Sequence, residues 1–153
     1  MTLLRTLDLP PVWLMAFLGI AWAQVAWLPG PVPMPVPGWA ATAGAVVALS
    51  GFALILAAGW QMWRARTTII PRRDPVALVT GGVFAISRNP IYLGDALILG
   101  GLCLRWGALS GVVLVPAFMV LISRRFIAGE EARLKAAFGR AYDGWSSRTR
   151  RWL

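Results

Sequence analysis

The stretch Trp39–Met62, WAATAGAVVALSGFALILAAGWQM, carries no charged side chain over 24 residues. Coiled as an α-helix it would extend about 36 Å, enough to cross the ~30 Å hydrocarbon core of a bilayer. Shorter apolar runs at Val12–Leu28, 89–104 and Ala108–Ser123 repeat the pattern. Hydrophobic residues make up 58% of the 153-residue chain, mean hydropathy is +0.67 and only 14% of residues are charged. A soluble domain carries about 25% charged residues and cannot hide so much apolar surface. The expected fold is an all-α integral membrane protein, a single domain over 1–153. Four transmembrane helices (12–28, 39–62, 89–104 and 108–123) would form two hairpins, followed by an amphipathic helix on the cytoplasmic side.

The net charge of +9 raises the question of nucleic acid. The basic residues punctuate apolar runs instead of forming one basic face, so no nucleic-acid partner is expected. Their distribution is one-sided. Arg5 lies in the head, Arg64, Arg66, Arg72, Arg73 and Arg88 in the middle segment, and eight more from Arg124 onward; only Arg105 falls on the other side. Positive residues flank spans on the cytoplasmic face, which predicts both termini and the middle loop in the cytoplasm. A cleavable leader is the rival reading of the first run, because Ala21-Trp22-Ala23 resembles a cleavage site. The head has a single Arg offset by Asp8, and the apolar run continues past Ala23, so a retained span is expected.

The connections differ in character. Pro29–Gly38, PGPVPMPVPG, holds five prolines and cannot be a helix interior; it reads as a stiff turn. Arg64–Arg88 is too long for a hairpin turn and mostly loop, with an extended piece expected at Val76–Val79. Arg105–Gly107 reads as a tight turn. Ala40, Gly44 and Ala48 form a small-residue stripe suited to close helix packing, and Gly107 and Gly111 are spaced for another close contact. From Arg124 onward, Leu134, Phe138, Ala141, Tyr142 and Trp145 fall on one helical face, with Arg133, Lys135 and Arg140 off it.

The sequence has no histidine and one cysteine, Cys103, inside an apolar run. The commonest general base and metal ligand is missing, so no zinc or iron site is expected. Cys103 reads as a small core residue. Chemistry would rest on carboxylates, arginines, tyrosines, backbone groups and an organic cofactor. Glu130 and Glu131 follow Gly129 and suit a helix N-terminus electrostatically, or else hold a cationic ligand group. Arg88 and Pro90 can be read as an interfacial cation and a first-turn proline. Asp95 lies further along the same helix, with Tyr92 one turn behind it. An ionisable group inside a span marks a functional site by default; Asp95 is either a proton acceptor or a structural partner.

Two segments carry a resemblance. LVTGGVFAISRNPIYLGD (Leu78–Asp95) and GEEARLKAAFGRAYDGW (Gly129–Trp145) are similar to the paired signatures of the isoprenylcysteine carboxyl methyltransferases and their phospholipid methyltransferase relatives. The upstream RTTIIP (Arg66–Pro71) is similar to a segment of bacterial members, so the setting implied is a bacterial inner membrane. The resemblance covers about Arg64 to Leu153. It implies methyl transfer from S-adenosylmethionine to a lipophilic acceptor drawn from the bilayer.

Residue by residue, the resemblance implies that Ala77, Leu78, Val79 and Phe84 line a cofactor pocket. Asn89, Pro90 and Tyr92 would hold the cofactor's amino-acid and sulfonium portion, and Glu130 with Glu131 its polar end. Arg88 and Arg125 are candidates for facing the acceptor; Tyr92 and Glu131, with Asp95, are candidates for taking a proton from it. Asn89 stands where the family commonly has His. Phe84 replaces a tyrosine. Phe126 stands where the prenylcysteine enzymes place an arginine for the substrate carboxylate, with Arg125 one residue off. The acceptor therefore need not be a prenylcysteine carboxylate, and an amino-lipid N-methyltransferase is the alternative. A non-catalytic membrane helper or small transporter is the rival of another class, but Gln24, Asp95 and a few Ser/Thr are too few to trace a polar path.

Overall fold

The structure, a computed structural model, describes residues 8–27, 36–68 and 74–153. Arg5, most of the proline-rich turn, and Arg72 and Arg73 lie outside the described residues. Four long helical stretches account for the architecture: α1 Pro10–Trp27, α2 Gly38–Arg64, α3 Pro90–Trp106 and α4 Gly111–Ile122, the last extended by a π turn over Ser123–Ile127 into α5, Ala128–Phe138. A short α6, Arg140–Ser146, follows. Three of these stretches, α1, α2 and the continuous Gly111–Phe138, are long and apolar enough to cross a membrane. At 17 residues, α3 is shorter, about 25 Å.

α3 is the centre of the bundle and contacts α1, α2 and α4. Its N-terminus is prepared by Pro90 in the first turn, where the missing N–H costs nothing. Gly107, at φ 70°, ends it in the left-handed conformation that a side chain resists. Helix α3 therefore continues through Arg105 and Trp106, and the turn lies at 107–110.

The α2–α3 contact is set by glycines. A Cβ on Gly51 would stand 2.6 Å from the Gly94 carbonyl oxygen, and one on Gly94 2.6 Å from that of Gly51. Two helical turns away, Gly44 and Gly101 show the same reciprocal approach, at 2.5 and 2.6 Å. Backbones meet directly at both points, which is how membrane helices gain dispersion contact without a hydrophobic driving force. The Ala40–Gly44–Ala48 stripe lies on this seam: Gly101 approaches the Ala48 backbone. Gly111 packs against Cys103, whose thiol is buried.

On the other side of α3, Phe17 meets Phe118 edge-on at 5.4 Å, and Leu99, Ile122, Phe126 and Ile127 complete an apolar core. Gln24, a polar residue inside α1, accepts from the Ser110 amide at 3.2 Å. It thereby satisfies a backbone donor at the start of α4.

Two expectations are corrected. The fourth apolar stretch does not stop at Ser123 before a separate tail helix; the chain stays helical, and the Ala128 amide reaches back to the Ser123 carbonyl, five residues away. The tail helix instead breaks at Gly139, φ 48°. Leu134, Phe138, Tyr142 and Trp145 share an apolar cluster across that break, while Ala141 is exposed. Residues 76–79 form no strand; Thr67 Oγ1 accepts from the Val76 and Ala77 amides at 3.2 and 3.3 Å and pins this coil beside the end of α2.

Candidate functional site

The start of α1, the end of α2, the start of α3 and helices α5 and α6 meet at one end of the bundle around a cavity of about 490 Å³. Small-molecule sites in proteins have this size. One wall is apolar: Met62 from α2, Ala77, Leu78 and Val79 from the coil, Phe84 from a 3-10 turn at Gly82–Ala85, and Leu134 from α5. Tyr142 and Trp145 of α6 close the same side, the Trp145 indole donating to the Phe84 carbonyl at 2.9 Å. Pro10 and Pro11 reach the cavity from α1, Leu9 from just before it, and Ile55 from within α2.

The polar wall is built by two helices distant in sequence. From the start of α3 come Arg88, Asn89, Pro90, Tyr92 and Asp95; from α5 come Glu130, Glu131 and Arg133. Tyr92 donates its hydroxyl to Glu130 Oε1 at 2.7 Å. Arg88 Nη2 lies 3.3 Å from Glu131 Oε1. Arg151 donates from Nε to Glu131 Oε1 at 3.1 Å and from Nη2 to Oε2 at 2.5 Å, the paired-donor geometry that only a guanidinium provides. Burial and then the Glu131 charge push the Tyr142 phenol above its ordinary value. The Glu131 hydrogen bonds raise Arg151 further, so it stays charged.

Every residue expected from the sequence in the cofactor pocket lines this cavity, as does Arg88. Arg125 does not. Its Nε donates to Asp8 Oδ1 at 2.5 Å and its guanidinium lies 5.5 Å from the Trp13 ring, tying the head of α1 to the π turn. Asp8 and Trp13, both at the head of α1, hold its guanidinium outside the cavity. Phe126, its neighbour, is buried in the core.

The segment after α6 was legible only as positive charge, yet it builds part of the site. The Arg150 carbonyl accepts from the Arg88 amide at 2.9 Å. The Arg151 carbonyl accepts from Asn89 Nδ2 at 3.0 Å and from Ser87 Oγ at 3.2 Å. Nothing in the local sequence separates Arg151 from the other cations near it, because its partners lie 20 and more positions away. Asn89, expected to meet the cofactor, has its amide nitrogen engaged with this segment while its residue borders the cavity.

Residues 39–141 match the profile of a family described as phospholipid methyltransferase. No curated protein and no solved structure matches the chain.

Proposed function

The chain belongs to the phospholipid methyltransferase family, and from that premise we propose that it methylates a lipophilic acceptor using S-adenosylmethionine. The reading rests on one observation: both signature segments deliver their polar residues to a single cavity that is otherwise lined mostly by apolar side chains. The residues present fit the cofactor. Its ammonium calls for a carboxylate, which Glu130 and Glu131 offer. Its carboxylate calls for a cation; Arg88 lines the cavity, and its buried Nε has no hydrogen-bond partner among the described residues. Its adenine calls for apolar and aromatic surface, present at Leu78, Val79, Phe84 and Trp145.

When bound, the cofactor supplies a sulfonium methyl that is already electrophilic, so the reaction needs alignment more than acid catalysis. The protein's part is to orient and to exclude water. Tyr92 and Glu130 fix each other across α3 and α5, and the coil pinned by Thr67 covers the apolar side. The four-span arrangement with a cytoplasmic cavity belongs to the same proposal: α3, though short, would cross inside the shell of the three longer stretches.

A specific observation favours an amine acceptor over a prenylcysteine carboxylate. Phe126 is buried and Arg125 is held by Asp8, so neither occupies the role of a carboxylate-binding arginine. Asp95 is 6% exposed, lines the cavity, and makes no ion pair among the described residues. It suits an ammonium head group and can accept the proton an amine must lose, whereas Glu131 already serves two guanidiniums.

Isothermal titration of the detergent-solubilised protein with S-adenosylhomocysteine tests the cofactor reading. Binding that is lost in Glu130→Ala supports it; no binding, or the same binding in that variant, removes it. Mass spectrometry of membrane lipids and prenylated thiols after incubation with isotope-labelled cofactor identifies the acceptor. Label on a carboxylate would exclude the amine reading.

A further inference from the structure

Resting on the methyltransferase reading of the cavity, we propose that Arg151 is a positioning residue that clasps the two halves of the site together. Arg88, Asn89 and Tyr92 come from the start of α3, while Glu130 and Glu131 come from α5. Within the described contacts, Arg151 binds both sides through different atoms. Its guanidinium takes both oxygens of Glu131, and its carbonyl takes Asn89 and Ser87. The adjoining Arg150 carbonyl satisfies the Arg88 amide. The segment is anchored on each side of the clasp: Thr149 is buried, and Trp152 packs against the main apolar core.

The consequence for Glu131 is directional. Arg88 alone holds one oxygen of this carboxylate at 3.3 Å. With Arg151 added, both oxygens are engaged and the carboxylate plane is fixed. Arg151 therefore acts through Glu131 and through the 87–89 backbone. Side-chain exposure fits this position: Glu131 is 14% exposed and Arg151 42%, so the guanidinium approaches from outside and the carboxylate faces inward.

Two measurements test the clasp, and they separate its failure from that of the methyltransferase reading. In deuterium exchange of the full chain in detergent, Arg151→Ala should speed uptake in peptides covering 86–90 and 129–133 together. Arg148→Ala removes the same charge from a residue whose Nε bonds only to the Gly144 carbonyl nearby, and should leave both unchanged. Unchanged uptake in Arg151→Ala overturns the clasp whether or not a cofactor binds.

In titrations with S-adenosylhomocysteine, Arg151→Ala should weaken binding roughly tenfold or more, the scale of losing a supporting partner behind a ligand-holding group. Arg151→Lys, which keeps the charge but not the paired donors, should fall between and serves if the alanine variant does not fold. The loss should shrink in a Glu131→Ala background, because Arg151 would have lost the carboxylate it holds and would act only through the 87–89 backbone. Equal losses in both backgrounds, or none in either variant, overturn the proposal. Absence of binding in the unmodified protein removes the methyltransferase reading and leaves the exchange result to decide.

Discussion

Glu131 accepts from Arg88 and from both donors of Arg151, Glu130 accepts from Tyr92, and Asp95 has no cation partner among the described residues. These differences divide the work. Asp95→Asn keeps the shape and removes the proton acceptor, so turnover of an amine acceptor should fall by about 10²–10⁴. Binding of S-adenosylhomocysteine should persist, and a parallel loss of both would assign Asp95 to the cofactor instead. Tyr142 gives a pH signature. Its phenol is held neutral in the fold by burial and by Glu131, above the ordinary value of 10.0. The stability this supplies is whole below about pH 10 and is lost as pH rises through the raised value. Tyr142→Phe should therefore flatten the alkaline decline in thermal midpoint; identical declines in the two proteins would show that the phenol does not contribute.

At the scale of elements, the α2–α3 seam makes a contrast that can be measured within one helix. Gly51→Ala would place a methyl 2.6 Å from the Gly94 carbonyl oxygen, where backbone cannot yield cheaply. It should destabilise by about 1–3 kcal/mol in thermal or denaturant unfolding in detergent. Gly59→Ala, also on α2, meets nothing within 4 Å. It should be neutral or stabilise by up to about 1 kcal/mol through helix propensity; similar losses at both sites would remove the seam from the explanation. The same elements show what the sequence could reveal. A charge-free run such as Trp39–Met62 announces a helix because composition and length are local properties. The Ala40–Gly44–Ala48 stripe was readable for the same reason. The Gly51–Gly94 and Gly44–Gly101 approaches were not, since each joins residues on two helices and needs their relative placement. Motif order grouped Ala77–Val79, Phe84, Asn89, Pro90, Tyr92, Glu130 and Glu131, which border one cavity. Arg125 is drawn away by Asp8 and Trp13, partners more than a hundred positions distant, and Arg151 was missed because tertiary contact alone distinguishes it from its basic neighbours.

For the whole molecule, charge and aromatic rings define the same axis. Exposed Trp39 and Trp60 lie at opposite ends of α2, about 31 Å apart along the helix, with Trp27 and Trp63 also exposed at helix ends. Tryptophans favour the two interfaces of a bilayer, and this spacing matches the hydrocarbon core. At about 40 Å, α2 is longer than that core, so its last turn, carrying Met62 to the cavity, stands in the interfacial layer. The basic segments gather at this end, while Arg105 sits at the other, donating to the Ala41 carbonyl at 3.3 Å. The positive-inside bias then predicts a cavity facing the cytoplasm, the compartment from which a polar nucleoside cofactor would enter. Cys103 is the only cysteine and is buried, so a Cys103→Ala background leaves no native thiol to label. In that background, Ser147→Cys and Leu109→Cys place one exposed thiol at each end of the bundle. A membrane-impermeant maleimide should label Ser147→Cys only in inside-out vesicles and Leu109→Cys only in right-side-out ones. The reverse pattern would place the cavity on the outer face, and equal labelling from both sides would mean that the two ends are not separated by the bilayer.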